Sequence, residues 1–237
     1  MLEPAADSRL ILALDLPTRA QAEAMVERLG DSVSFYKIGL QLLAVGGMEM
    51  ARDLKARGRQ VFLDWKLHDI GATVEKAAAA IAATGSGDLL TVHAEPQVLA
   101  AAVRGVKGSG LKVLGVTVLT SLNGQDLGEI GYGLGVEALV ERRIRQALDA
   151  GADGVVASPH EAALARRIGG PDFLVVTPGV RPAGSAMDDQ ARAMTPGEAL
   201  SAGASHLVVG RPIAAAADPR AAALAVAAEM RPIGRAA

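Results

Sequence analysis

Phe62-Leu63-Asp64-Trp65-Lys66-Leu67-His68-Asp69-Ile70 reads as a buried strand that runs into charge. Residues two apart on a strand share a face, so Asp64 and Lys66 point the same way and Asp69 follows just past the strand end. Asp and Lys are rarely buried unless paired. Alternating charges on an inward strand face belong either to a structural ion-pair network or to a site that does chemistry.

The same pattern, a short apolar run with a polar or glycine residue at or near its end, recurs along the chain. It is found at Leu10–Leu14 before Asp15, Phe35–Ile38 around Lys37, Val61–Leu63 before Asp64 and Leu89–Val92 before His93. It returns at Val113–Leu119 before Thr120, Val155–Ala157 before Ser158, Phe173–Val176 before Thr177 and Leu207–Val209 before Gly210. Eight candidates in 237 residues leave about 30 residues for each, the size of one βα unit. Between them, Arg19–Leu29, Leu40–Arg57, Thr73–Ala83, Pro96–Val106, Val136–Ala150, Pro159–Ile168 and Pro196–Ala202 have helical composition. Continuous apolar strands alternating with helices imply a parallel sheet. Eight units favour a closed (β/α)8 TIM barrel, an α/β fold, as a single domain over residues 9–237 behind a short tail, 1–8.

Composition narrows the function. Half of the residues are hydrophobic but only 3% are aromatic, so aliphatic side chains must fill the core. The formal net charge of -2, without a block of one sign, argues against a nucleic-acid or anionic membrane surface. With no cysteine, disulfides, thiolate metal sites and cysteine nucleophiles are excluded. No apolar stretch approaches the roughly 18 residues of a membrane span, and the first eight residues lack the apolar core of a signal peptide; a cytoplasmic protein is the expectation.

In barrels of this kind the chemistry sits at the C-terminal ends of the strands. Asp15, Lys37, Asp64, Lys66, Thr120, Arg211 and His93 would then ring one mouth. Lysine is scarce, six against eighteen arginines, yet two of the six fall in or at the end of strands, where a compact ammonium can donate a proton. Charges converging on one mouth are costly without a function. His93 reads as a hydrogen-bonded mouth residue rather than a metal ligand, and Trp65 as packing behind its strand. Thr177-Pro178-Gly179-Val180-Arg181-Pro182 leaves the seventh strand and Val209-Gly210-Arg211-Pro212-Ile213 the eighth. These are the places where such barrels bind phosphate, through free backbone N–H groups at a helix N-terminus. Gly210 permits close approach and Arg211 offers a fork. The long loop from Arg181 to Arg192 has the character of a lid.

Taken in order, these segments resemble a family. Ala13-Leu14-Asp15, Tyr36-Lys37-Ile38-Gly39, the Asp-x-Lys-x-x-Asp-Ile run at 64–70, Thr73, Val118-Leu119-Thr120-Ser121, Pro178–Pro182, Asp188-Asp189-Gln190 and Val209–Ile213 are similar to the orotidine 5'-phosphate decarboxylases in their short bacterial form. One departure is Gly71-Ala72, where many members have Pro-Asn. The resemblance implies decarboxylation of orotidine 5'-monophosphate to uridine 5'-monophosphate, the last step of de novo pyrimidine nucleotide synthesis, with no cofactor and no metal. It implies a charged tetrad of Lys37, Asp64, Lys66 and Asp69, with Lys66 as proton donor. Asp69, Ile70 and Thr73 would reach the neighbouring subunit's site in a homodimer. Asp15 and Lys37 would bind ribose, Thr120 or Ser121 the base, and Arg181, Gln190, Gly210 and Arg211 the phosphate. Two alternatives stay open here: a metal-dependent sugar-phosphate aldolase or decarboxylase of the same superfamily, and a catalytically silent nucleotide-binding barrel.

Overall fold

The computed structural model describes residues 6–182 and 194–231. Eight parallel strands close into a barrel in sequence order: β1 (Leu10–Ala13), β2 (Phe35–Gly39), β3 (Gln60–Leu67), β4 (Leu89–His93), β5 (Lys112–Val116), β6 (Gly154–Val156), β7 (Leu174–Pro178) and β8 (His206–Val209). Closure is made by β1 on β8, with Leu10 beside Leu207 and Leu12 beside Val209.

Period-two alternation sorts the strand residues into two cores. Ile11, Phe35, Phe62, Leu89, Leu114, Val176 and Val208 point inward and fill the barrel. Two of the chain's three phenylalanines are used there. Leu12, Leu63, Leu90, Val113, Val155 and Val175 point outward against the helices, and Trp65 joins that outer layer as its alternation requires.

The helices are α1 (Arg19–Leu29), α2 (Leu40–Leu43), α3 (Gly47–Ala56), α4 (Gly71–Ala83), α5 (Pro96–Val106), α6 (Gly124–Ile130), α7 (Val136–Asp149), α8 (Ala162–Gly169), α9 (Pro196–Ser201), α10 (Arg211–Ala214) and α11 (Pro219–Glu229). Three expected boundaries are corrected. The segment expected as one helix, Leu40–Arg57, breaks at Gly46, whose φ of 104° only glycine adopts easily; there the backbone of Leu42 lies where a Cβ on Gly47 would stand. Strand β5 ends at Val116 rather than Leu119, because the N–H and hydroxyl of Thr117 both turn onto the Val156 carbonyl (3.3 and 2.9 Å). Helix α4 begins at Gly71, two residues ahead of the expected Thr73.

The floor of the barrel repeats one device. Asp88, just before β4, accepts from the N–H of Val61 at 2.7 Å. Asp153, before β6, accepts from Val113 at 2.8 Å, and Ser205, before β8, from Val175 at 2.9 Å. The residue just before β4, β6 and β8 thus satisfies a backbone donor near the start of the odd strand before it, a donor that would otherwise be stranded. No described helix is long and apolar enough to cross a membrane.

Candidate active site

At the opposite end, the C-terminal mouth, the inward positions change from apolar to charged on β2 and β3. Lys37 follows Phe35 on the inner face of β2, and Asp64 and Lys66 follow Phe62 on β3. The side chains form a line of alternating sign. Lys37 Nζ lies 3.0 Å from Asp15 Oδ1 and 3.4 Å from Asp64 Oδ2, and Lys66 Nζ donates to Asp64 Oδ1 at 2.8 Å. Asp64, at 13% side-chain exposure, also accepts from the Thr91 hydroxyl at 3.0 Å. Burial by itself would raise its pKa; the two ammoniums and the hydrogen bonds from Lys66 and Thr91 outweigh burial and hold the carboxyl below the usual carboxylate range. Asp64 is therefore a fixed anion between two cations.

Lys66 is held in an unusual backbone state. Its φ is 48°, the single positive value outside glycine among the described residues. A lysine there carries strain of order 1–3 kcal/mol, a feature that clusters at functional sites. Gly39 closes the other side. A Cβ at that position would stand 2.7 Å from Asp15 Oδ1 and 2.9 Å from Lys37 Nζ, so any other residue would push the ion pair apart.

These groups line a cavity of about 530 Å³ together with Val116, Val118, Val156, Val180 and Val208. Thr120, Arg181, Gly210 and Arg211 also reach it. Its charged lining is four cations, Lys37, Lys66, Arg181 and Arg211, against two anions, Asp15 and Asp64. A chain of net charge -2 has thus gathered a positive excess at its mouth, which suits an anionic ligand. A second cavity of about 540 Å³ adjoins it, sharing Val118 to Thr120, Pro178 and Gly179 and extending under α6 to His160 and Glu161.

The cavity therefore brings together Asp15, Lys37, Asp64, Lys66, Thr120, Arg181, Gly210 and Arg211. Asp69, Ile70, Thr73 and Ser121 are outside its lining. Asp69 is exposed, with Oδ1 accepting from the Ile70 N–H at 2.6 Å, and Ile70 is 69% exposed. Gln190 and the acidic pair beside it lie outside the described residues. His93 does sit at the mouth, but stacked rather than hydrogen-bonded: its ring is tilted against His68 at 4.8 Å. Burial holds its pKa below the ordinary histidine value. Beyond the stack, Glu95 faces His68 Nε2 at 3.6 Å and pairs with Arg143 at 2.7 Å, while Arg143 also donates to the Tyr132 hydroxyl at 3.2 Å. Among the described residues no three His, Asp or Glu side chains converge as a metal site.

Sequence reasoning missed Thr91 and Gly39 as parts of this site. Alternation with Leu89 and His93 places Thr91 on the inner face, a signal that was available; the clash at Gly39 is visible only once the strands are closed.

Comparison with known proteins finds relatives over nearly the whole chain. Residues 8–226 match the family described as Orotidine 5'-phosphate decarboxylase / HUMPS. A protein named orotidine 5'-phosphate decarboxylase from a Caulobacter species is 68% identical over 225 residues, covering 95% of this chain and 98% of its own length. One of the same name from Rhodopseudomonas palustris is 55% identical over 228 residues, covering 96% and 97%. The crystal structure of orotidine 5'-phosphate decarboxylase from Lactobacillus acidophilus superposes with a TM-score of 0.83 at 37% identity, covering 95% of this chain and all of that one. With most of its length matched and its barrel shared, the chain belongs to the orotidine 5'-phosphate decarboxylase / HUMPS family.

Proposed function

We propose that the chain decarboxylates orotidine 5'-monophosphate to uridine 5'-monophosphate, completing pyrimidine nucleotide synthesis, with Lys66 as the proton donor. Family membership and relatives of that name at 55–68% identity support the reaction. The observation that carries the residue roles is the line Asp15–Lys37–Asp64–Lys66 along one wall of the cavity, with its fixed anion between two cations.

In this reading the bond from C6 of the pyrimidine to its carboxylate breaks, carbon dioxide departs and the electron pair stays on C6. The Lys66 ammonium stabilises the developing carbanion and then delivers its proton to C6; the resulting amine is reprotonated from solvent. A preorganised cation aimed at developing charge is the largest single means of catalysis available to such a site. Asp64 sets the direction of the Lys66 ammonium and opposes the substrate carboxylate. Lys37 and Asp15 are assigned to the ribose hydroxyls, Thr120 or Ser121 to the base, and Arg181, Gln190, Gly210 and Arg211 to the phosphate. Binding energy from the distant phosphate would favour closure of the site around the reacting ring. No cofactor or metal is assigned a role.

The exposure of Asp69, Ile70 and Thr73 outside the cavity supports a homodimer in which these residues complete the partner's site. Mixing Lys66→Ala with Asp69→Ala chains tests both assignments together. Each variant alone should be inactive. Statistical re-pairing leaves one intact site in each hybrid, so the mixture should regain about a quarter of the parent activity. No recovery after demonstrated subunit exchange would contradict the shared site. A role in nucleotide synthesis fits a cytoplasmic setting, to be checked by fractionation.

A further inference from the structure

The ladder between β3 and β4 is interrupted beside the reacting lysine. Leu63 pairs with Leu90, but the next pair is Leu67 with Val92. Four steps on β3 therefore span only two on β4, and Asp64, Trp65 and Lys66 bulge opposite Thr91. Bulges re-aim side chains and leave backbone donors unpaired. Here the unpaired donor is the N–H of Lys66, and it finds the Thr91 hydroxyl oxygen at 3.0 Å. The same hydroxyl donates its proton to Asp64 Oδ1 at 3.0 Å, the oxygen that also receives Lys66 Nζ. Thr91 is fully buried, so water does not readily replace it. One hydroxyl thus closes a ring through the Lys66 backbone, the Lys66 ammonium and the Asp64 carboxylate.

We propose that Thr91 is a positioning residue for the decarboxylation, its hydroxyl holding Lys66 in its left-handed backbone state and Asp64 in the orientation that aims the Lys66 ammonium. This inference rests on the role assigned to Lys66 above. Both hydrogen bonds use the hydroxyl and neither uses the methyl group, so the residue's work separates from its packing. The groups facing Asp64 are Lys37 from β2, Lys66 from its own strand and Thr91 from β4, with Asp15 beyond Lys37 and His93 beyond Lys66.

The test is steady-state kinetics on orotidine 5'-monophosphate for the parent chain, Thr91→Val and Thr91→Ser. Thr91→Val keeps the shape and removes the hydroxyl. Its kcat should fall about 10- to 100-fold, the worth of a hydrogen bond to a charged group, with KM changed less than about 3-fold. The acid limb of its kcat profile should move to higher pH, because Asp64 loses a donor that favours its ionised form. Thr91→Ser should stay within about 3-fold of the parent with an unmoved limb. An equal loss in the two variants, a loss through KM alone or an unmoved acid limb in Thr91→Val would overturn the inference. Should Thr91→Val fail to fold, Thr91→Ala gives the same readouts. A parent chain without turnover would overturn the proposed function itself; an active parent with an unimpaired Thr91→Val removes only the role of Thr91.

Discussion

Strands β2 and β3 and the strands opposite them, β6 and β7, face one cavity with contrasting surfaces. The β2–β3 wall carries Lys37, Asp64 and Lys66, tied to one another and to Asp15 by contacts of 2.8–3.4 Å. The β6–β7 side presents Val156, Pro178 and Val180, with Val116 and Val208 on the neighbouring strands. A charge array packed against apolar groups is screened less than one in water, so each fixed charge acts more strongly on a ligand between the two walls. The charged wall pairs its charges internally before any ligand arrives, and Val156, Pro178 and Val180 opposite it add no charge. This division suits a reaction in which charge develops on a ring atom and must be met by a cation already in place.

The largest effect should come from breaking the charged wall. Lys66→Ala should lower kcat by at least about 10³-fold while leaving uridine 5'-monophosphate binding measurable by calorimetry, since the groups assigned to ribose and phosphate remain. Near-parental turnover would remove the assigned donor. A smaller effect should follow from blurring the contrast. Val156→Asp places a carboxylate on the apolar wall, where it would repel an anionic substrate and draw the cations opposite. KM should rise about 10-fold or more, and less than about 3-fold in the Val156→Ala control.

The contrast explains how much of the molecule could be read from sequence. Strand positions were legible because each is a local apolar run, and the mouth charges because alternation places Asp64 and Lys66 on one face. What was not legible depends on strands that meet only in the closed barrel. The bulge opposite Thr91, the positive φ of Lys66 and the close approach of the Asp15–Lys37 pair to Gly39 all arise from β1 to β4 coming together. The stack of His93 on His68 and the Glu95–Arg143 pair join residues 48 positions apart in the case of the pair. Some missed elements did carry local signals. Helix α6 opens with a capping box, Asn123 with Asp126, and α11 with the Asp218 cap before Pro219. Their helices are short or alanine-rich and do not announce themselves by apolar periodicity. Asp69 presents the reverse case: its motif was plain, yet the chain by itself leaves it outside the cavity.

The smallest expected effect lies at the barrel floor. His206, half-buried at the start of β8 against the edge of Phe35, has its pKa pushed down to about 4, chiefly by burial and further by Lys112 and Arg9. The unfolded chain binds this proton near pH 6.5 and the folded chain does not until about pH 4, so the stability from a neutral His206 is complete above pH 6.5 and is lost as pH falls toward 4. The loss should be about 2–3 kcal/mol. His206→Phe should flatten the denaturation midpoint across that window without altering kcat. An unchanged pH slope would show that His206 does not carry it.

With the charged array of Asp15, Lys37, Asp64 and Lys66 as its reacting centre, the protein should decarboxylate with its own residues and no metal. Its most direct test is the ultraviolet absorbance of orotidine 5'-monophosphate incubated with purified chain and excess EDTA. The substrate's absorbance should be lost, with uridine 5'-monophosphate as product and a rate unchanged by the chelator. A folded chain that leaves the absorbance unaltered, or that works only when magnesium is returned, would contradict it.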